Sequence, residues 1–202
     1  MDGRLQALIS ELEAALTTAS PAKQTAILRD VTALFMAQAE AFSSAQVTVF
    51  DEVIGTLIKS APDSALIELS RTLAPVTNAP SKASTTLASH RNIAVAGPLL
   101  ERSVALSDDS LVEIAENAPR DRLQLLAARS EINESLSDVL VDRGDGEIAR
   151  KVLGNPGAHV SELGFVKLIN RAKTDRALAD TIAARTDLPP ELEPFLKLAL
   201  AS

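Results

Sequence analysis

The chain has 202 residues, of which 46% are hydrophobic, and this is enough for one sizeable core or two small ones. It contains no cysteine, which excludes disulfides, thiol nucleophiles and thiolate metal sites. The formal net charge is −7 and neither half of the chain is basic, which argues against a surface that binds nucleic acid. Aromatic residues make up only 2%, and all five are Phe, a composition that suits closely packed helices rich in Leu and Ala.

The sequence lacks the patterns of a secreted or membrane protein. No window approaches the roughly 18 apolar residues that a membrane-spanning helix needs. The first four residues run directly into an amphipathic pattern rather than into the uninterrupted apolar stretch of a signal peptide. We therefore expect a soluble, cytoplasmic protein that has no contact with a membrane.

Three helices are predicted within residues 1–61. The first, over residues 4–17, carries apolar residues on one face: Leu5, Leu8, Ile9, Leu12 and Leu16. The second starts at Ser20-Pro21 and is expected to bury Ile27, Leu28, Val31, Leu34 and Phe35. The third starts at Ser43-Ser44 and ends near Pro62. These helices form either a three-helix unit or a hairpin that docks on the remainder of the chain.

After Pro62, shorter helices alternate with polar links that carry helix-start signals. The links recur at steps of roughly 26–28 residues, a period typical of helical solenoids. They are Ala79-Pro80-Ser81, Ser107-Asp108-Asp109, Asn133-Glu134-Ser135, Ser161-Glu162 and Leu188-Pro189-Pro190-Glu191. One short helix pair cannot bury its apolar stripe alone, so neighbouring pairs must stack. The sequence thus predicts an all-α protein with an N-terminal helical unit at 1–61 and a short right-handed α-solenoid at 62–202, packed as one continuous body.

Local signals refine this prediction. Helix is expected in more than roughly 60% of residues with essentially no strand, because no sustained alternating run occurs. Gly144 and Asp145 are expected to end one helix and to cap the next, and Pro98 predicts a kink or a late helix start. The predicted core comprises Leu99, Ile148, Val152, Phe165, Leu168, Ile182 and Leu196.

Four segments resemble known helical-repeat sequences. Residues 146–156 (GEIARKVLGNP) resemble the core of HEAT-like and leucine-rich-variant repeats. Residues 50–53 (FDEV), 93–100 (IAVAGPLL) and 141–145 (VDRGD) resemble an uncharacterised bacterial family of helical-repeat proteins, a domain of unknown function. This resemblance covers most of the chain and implies a superhelical fold of HEAT-like helix pairs, but it implies no activity. Helical-repeat relatives are mostly binding scaffolds, which is an analogy of fold alone.

The sequence offers no constellation for catalysis, for a cofactor or for a metal ion. His90 and His159 lie in different repeats, without cysteine and without the spacing of a zinc-binding helix. The polar residues 142–147 are interpreted as a helix end and a helix start rather than as a calcium loop. Phosphate-binding and serine-hydrolase motifs are missing. We therefore expect no enzyme activity, no cofactor and no metal. Asp51, which has apolar neighbours, is expected to be solvated or to pair with Arg71 or Arg91.

The predicted binding surface lies in the last repeats. A local basic cluster comprises Arg143, Arg150, Lys151, Lys167, Arg171, Lys173 and Arg176. The second helices of the repeats, at 108–117, 135–143, 161–173 and 190–200, are expected to line one face. Lys167 and Arg171 are one turn apart and are expected to share an exposed stripe. Together with Arg143 and with Asn155, which lies in an inter-helix turn, they are the predicted binding residues.

Three function classes remain open at this point. The leading hypothesis is a non-enzymatic protein-interaction scaffold or regulatory adaptor whose partner is another protein. The alternatives are a helical-repeat enzyme that acts on nucleic acid and a small-ligand sensor with a pocket between the N-terminal unit and the repeats. The acidic charge and the lack of Trp and Tyr for base stacking weigh against the enzyme. Formation of a homo-oligomer is left open.

Overall fold

A computed structural model describes residues 19–201. Over those residues the chain is all-helical, with 12 α-helices, 70% helix and no strand, which confirms the predicted all-α class and helix content. Among the same residues, one isolated parallel bridge joins Ile132 to Ala158 in two of the links. The helix predicted at residues 4–17 lies outside the described part of the chain.

The chain divides into two compact units, Met1–Ser107 and Asp108–Ser202. Within residues 19–107, the helices of the first unit are α1 (Pro21–Met36), α2 (Ser44–Ile58), α3 (Asp63–Leu73), α4 (Ser81–Ala88) and α5 (Ile93–Arg102), with a short 3₁₀ helix at Ala39–Ala41. In this unit α1 packs against α2 and α3, α2 against α4, and α5 against α3 and α4. The domain boundary predicted between residues 61 and 62 stays a prediction.

The core of the first unit is aliphatic around one aromatic cluster. Phe35 lies within 5.8 Å of the rings of Phe42 and Phe50, measured between centroids, and is fully buried. Leu28 is buried as expected, but Leu34 is 64% exposed, so its predicted burial is wrong. The reason is that α1 turns Leu28 and Phe35 inward, and Leu34 lies on a different side of the helix.

Asp51 has a different role from either of the two that the sequence predicts. It is buried, and its carboxylate accepts the backbone N–H groups of Lys82 at 3.0 Å and of Ala83 at 2.8 Å. These N–H groups belong to the first turn of α4, whose N-cap residue, Pro80, makes no side-chain cap. Asp51 on α2 therefore caps the start of α4 from outside that helix.

The second unit contains seven helices: α6 (Asp108–Asn117), α7 (Arg120–Leu126), α8 (Glu134–Arg143), α9 (Gly146–Leu153), α10 (Glu162–Ala172), α11 (Arg176–Ala183) and α12 (Glu193–Ala201). A 3₁₀ helix at Pro190–Leu192 precedes α12. Helices α6, α8, α10 and α12 pack in that order, each against the next, and α9 packs against α11. Consecutive helices α6 and α7, α8 and α9, and α10 and α11 also pack together.

The local predictions for helix ends and core largely agree with this structure. Gly144 ends α8 and the Asp145 side chain accepts N–H groups at the start of α9, as predicted. Helix α5 begins at Ile93 and continues through Pro98, so a late start at Pro98 is wrong. All seven predicted core residues are at most 5% exposed: Leu99, Ile148, Val152, Phe165, Leu168, Ile182 and Leu196. The hydrophobic pattern therefore identified the faces that these helices turn inward.

Candidate functional site

Two arginines of the second unit, one on α8 and one on α10, make the same kind of contact. Arg143 Nη1, at the end of α8, donates to the Ala115 carbonyl oxygen of α6 at 2.6 Å. Arg171 Nη1, near the end of α10, donates to the Val141 carbonyl oxygen of α8 at 2.7 Å. Both carbonyls belong to a last helical turn, where the oxygens lack partners within the helix and the dipole is negative. Both predicted binding residues thus join neighbouring helices.

The other two predicted binding residues also make contacts inside the unit. Lys167 Nζ lies 2.7 Å from the Asp142 carboxylate, so Lys167 and Arg171 both reach from α10 to α8. They lie one turn apart as predicted, but both are half-buried because of these contacts. Asn155 Nδ2 donates to the Arg129 carbonyl oxygen at 2.6 Å and joins two links instead. The structure therefore places Arg143, Lys167 and Arg171 across α6, α8 and α10, and Asn155 elsewhere.

The remaining members of the basic cluster are engaged as well. Arg150 Nη1 lies 2.7 Å from the carboxylate of Asp175, the N-cap of α11, and Lys151 Nζ donates to the Gln124 carbonyl oxygen at 2.9 Å. Lys173 donates to the Asn170 side chain, and Arg176 contacts Asp180 and the Leu200 carbonyl. Each head group thus has an acceptor within the unit.

A further ion pair involves Asp145, the N-cap residue of α9. Arg120 Nε lies 2.6 Å from the Asp145 carboxylate. The hydrogen bond from Arg120, and then the one from the backbone N–H of Ile148, lower the pKa of Asp145 below its usual value. The N-cap of α9 therefore keeps its negative charge to a lower pH than an ordinary aspartate does, and this charge is favourable near a helix N-terminus.

A cleft of about 480 Å³ lies beside the ends of α9 and α11. Within it, Arg185 donates to the carbonyl oxygens of Leu153, Asn155 and Ala158 and to the carboxylate of Asp187. The hydrogen bond from Arg185 lowers the pKa of Asp187, and His159 adds a smaller effect in the same direction. Because Arg185 directs all its donors to these oxygens, it is a structural clamp rather than a receptor for an anion.

An apolar groove of about 460 Å³ lies between α10 and α12, and we call it the α10–α12 groove. Its lining residues are Val166, Ile169, Asn170, Lys173, Leu192, Phe195 and Leu198. Phe195 is 57% exposed and Leu198 is 66% exposed, and Leu163 on α10 is 59% exposed. Large apolar side chains grouped in this way on a surface are typical of binding sites. Sequence reasoning missed this groove, although Leu192, Phe195 and Leu198 recur at steps of three.

Helix α12 has no basic residue at the positions that correspond to Lys167 and Arg171, which connect α10 to α8. Leu196 and Ala199 of α12 are buried at the same spacing as Ile169 and Ala172 of α10. This correspondence puts Pro194 at the position of Lys167 and Leu198 at the position of Arg171. Neither residue can donate the contacts that Lys167 and Arg171 make to α8. Basic side chains therefore bridge α8 and α10, whereas an apolar groove lies at the corresponding place between α10 and α12.

Neither a metal cluster nor a membrane span occurs within residues 19–201. In that part of the chain, no group of three or more His, Asp or Glu side chains could hold a metal ion. No helix within the same span has the length and apolar character needed to cross a membrane.

Residues 95–193 match the model of a family described as an uncharacterised protein conserved in bacteria (DUF2336). This match covers just under half of the chain and extends from α5 to the first residue of α12. The α10 side of the α10–α12 groove lies inside the matched region, and Phe195 and Leu198 lie beyond it. No curated protein and no solved structure matches the chain.

Proposed function

We propose that this chain is a non-enzymatic protein-interaction scaffold or regulatory adaptor, and that the α10–α12 groove receives an apolar helix of its partner. The observation that carries the proposal is the exposure of Phe195 and Leu198 beside the apolar wall formed by Val166 and Ile169. Covering such side chains removes apolar surface from water, which stabilises by roughly 25 cal/mol for each Å². A helix with one apolar face fits a groove of this kind.

The architecture that we propose for this scaffold is a stack of HEAT-like helix pairs in a short right-handed solenoid. Within the second unit, the order α6, α8, α10 and α12 supports it, because each helix packs against the next but one in the chain. The repeated contacts of Arg143 and Arg171 support it further. Stacked pairs present an extended surface, which is how helical-repeat proteins generally bind partners.

The engagement of the charged groups supports a binding protein over an enzyme. The seven residues of the basic cluster have acceptors within the unit, and Arg185 is held by three carbonyl oxygens and Asp187. Acid–base catalysis and phosphate binding need side chains that are directed toward a ligand. The acidic net charge and the lack of cysteine agree with a cytoplasmic partner protein rather than with nucleic acid.

The proposal is tested by photo-crosslinking in living cells, with a photoreactive residue in place of Leu198. We expect crosslinks to protein at this position and none when the same residue replaces Leu34, which is equally exposed but lies on α1. In a second arm, the photoreactive residue replaces Leu163, and we expect crosslinks to protein from this position. Adding Leu198→Glu to this variant should abolish those crosslinks. Equal crosslinking at both positions, or none at 198, would contradict the proposal.

A further inference from the structure

We infer that the partner helix lies parallel to α10 and α12 and ends in the α10–α12 groove, with its last turn at Asn170 and Lys173. The inference rests on the proposed function, in which the groove receives an apolar helix of a partner. It adds the direction of that helix and the polar groups that recognise its end. Two observations carry it: the position of the polar residues in the groove, and the contacts that the second unit makes to helix ends.

The polar residues of the groove lie together at one end. Among the described residues that line it, five are apolar and the other two are Asn170, in the last turn of α10, and Lys173, which directly follows that helix. The end of α12 lies nearby, because Arg176 at the start of α11 donates to the carbonyl oxygen of Leu200. Helices α10 and α12 pack along each other and therefore run in the same direction. The polar end of the groove is the C-terminal end of both.

Asn170 and Lys173 present a positive charge and hydrogen-bond donors. Lys173 Nζ donates to the side-chain oxygen of Asn170 at 2.9 Å. This bond uses one of the three N–H groups of the ammonium, and the NH₂ group of Asn170 is a further donor. Because Asn170 is neutral, the bond does not compensate the charge of Lys173, and no acidic residue is among the described residues that line the groove. This end of the groove therefore fits a group that is negative and accepts hydrogen bonds.

The C-terminal end of an apolar helix is such a group. Its last carbonyl oxygens lack partners within the helix and form the negative end of the dipole, and lysine side chains commonly bind them. The second unit already makes this kind of contact twice, from Arg143 to the last turn of α6 and from Arg171 to the last turn of α8. In each case the donor and the acceptor lie at the C-terminal ends of two neighbouring helices. A partner helix parallel to α10 brings its last turn to Lys173 in the same way.

The opposite direction is unfavourable. An antiparallel helix places its N-terminal end at Asn170 and Lys173, where its first N–H groups point outward and its dipole is positive. Donors then face donors, and the ammonium faces the positive end of the helix. The chemistry of the groove thus selects one direction for its occupant.

The direction is tested by mapping photo-crosslinks from two positions. Leu163 lies at the start of α10 and Leu198 near the end of α12, about two helical turns further along the groove. With a photoreactive residue at one position or the other, mass spectrometry of the crosslinked product identifies the partner residue. We expect the residue reached from position 198 to lie about eight positions closer to the partner's C-terminus than the one reached from position 163. The reverse order, or crosslinks in no order, overturns the inference. Absence of crosslinks at both positions removes the proposed function and this inference with it.

Charge changes test the polar end separately. In the chain with a photoreactive residue at position 198, Lys173→Glu should reduce the crosslink yield at least about threefold, because it opposes the negative end of the partner helix. Lys173→Gln should reduce it less, and Lys173→Arg should retain it. Lys197→Glu is the matched control, since Lys197 is exposed, pairs with Glu193 and lies outside the lining of the groove, and it should leave the yield unchanged. Equal melting temperatures would show that all four variants are folded. If Lys173→Glu leaves the yield unchanged, the inference is overturned, while crosslinks at positions 163 and 198 still support the proposed function.

Discussion

Arg143 of α8 places its guanidinium on the last turn of α6, and Arg171 of α10 places its guanidinium on the last turn of α8. Each guanidinium donates to a carbonyl oxygen of the last helical turn, and its positive charge interacts favourably with the negative end of that helix's dipole. The contact also ties together helices that are about one repeat apart in the chain. Arginine suits this position because its planar head reaches a carbonyl while its stem packs along the helix.

The role of Arg171 leads to a stability prediction. Arg171→Ala should lower the free energy of unfolding by about 1–2 kcal/mol, because a charged hydrogen bond to a half-buried carbonyl is lost. Lys167→Ala, one turn away, should cost less than about 0.5 kcal/mol, since its ion pair with Asp142 is partly exposed to water and such pairs contribute little. Urea titration of both variants measures the difference. Equal losses would show that Arg171 does not act through the Val141 carbonyl.

Phe165 is one of the few large core side chains and is 1% exposed. Phe165→Ala should therefore cost about 3–5 kcal/mol, which combines lost burial with the cavity that remains. Leu163→Ala on the same helix is the matched control, because Leu163 is 59% exposed and should shift stability by less than about 0.5 kcal/mol. Chemical denaturation of the two variants gives both values. A Phe165→Ala melt near that of the wild type would contradict the burial of this ring.

At the scale of the element, the N-terminus of α4 is capped by a residue of another helix. Pro80 at its N-cap offers no side-chain acceptor, and Asp51 of α2 supplies one to two N–H groups. Asp51→Ala should cost about 1–3 kcal/mol, since those N–H groups become unsatisfied at a site that is partly closed to water. Amide hydrogen exchange at Lys82 and Ala83 should accelerate, whereas the neighbouring Glu52→Ala should leave both amides protected. Unchanged exchange in the Asp51 variant would show that the cap contributes nothing.

Sequence patterns predicted those features that depend on residues close together in the chain. Asp145 and Ser161 are caps within one turn of the N–H groups they accept, and Phe165 and Leu168 follow the helical period. Asp51 lies more than thirty positions before the two N–H groups that it caps, so no short window of sequence contains both. The α10–α12 groove was missed for a similar reason. Helix α12 is apolar on more than one side, and only its packing on α10 decides which side stays open.

Lys167 and Arg171 show a further limit of sequence reasoning. Their spacing correctly put both residues on one side of α10, but it also suggested that they face solvent. Their acceptors, the Asp142 carboxylate and the Val141 carbonyl oxygen, belong to α8, which packs against α10. Charge alone cannot distinguish a solvated lysine or arginine from one that bridges two helices.

At the scale of the whole molecule, the division at residue 107 predicts that residues 108–202 fold alone. This unit has its own core, in which Leu126, Leu140, Val152, Leu168 and Ile182 are completely buried. A segment of about 95 residues with such a core lies within the size range of independent domains. The isolated fragment should therefore give a helical far-UV spectrum and a cooperative thermal transition.

A second fragment, residues 62–202, distinguishes a domain boundary at residue 107 from the predicted boundary at residue 61. If the unit at 108–202 is autonomous, both fragments should melt cooperatively and the shorter one should retain the protected amides of α8 to α11 in hydrogen exchange. This outcome is expected because the contacts that bury Val152 and Leu168 come from helices inside the shorter fragment. If 62–202 folds and 108–202 does not, the chain instead divides at residue 61, and α3 to α5 are needed to complete the fold of the remaining helices.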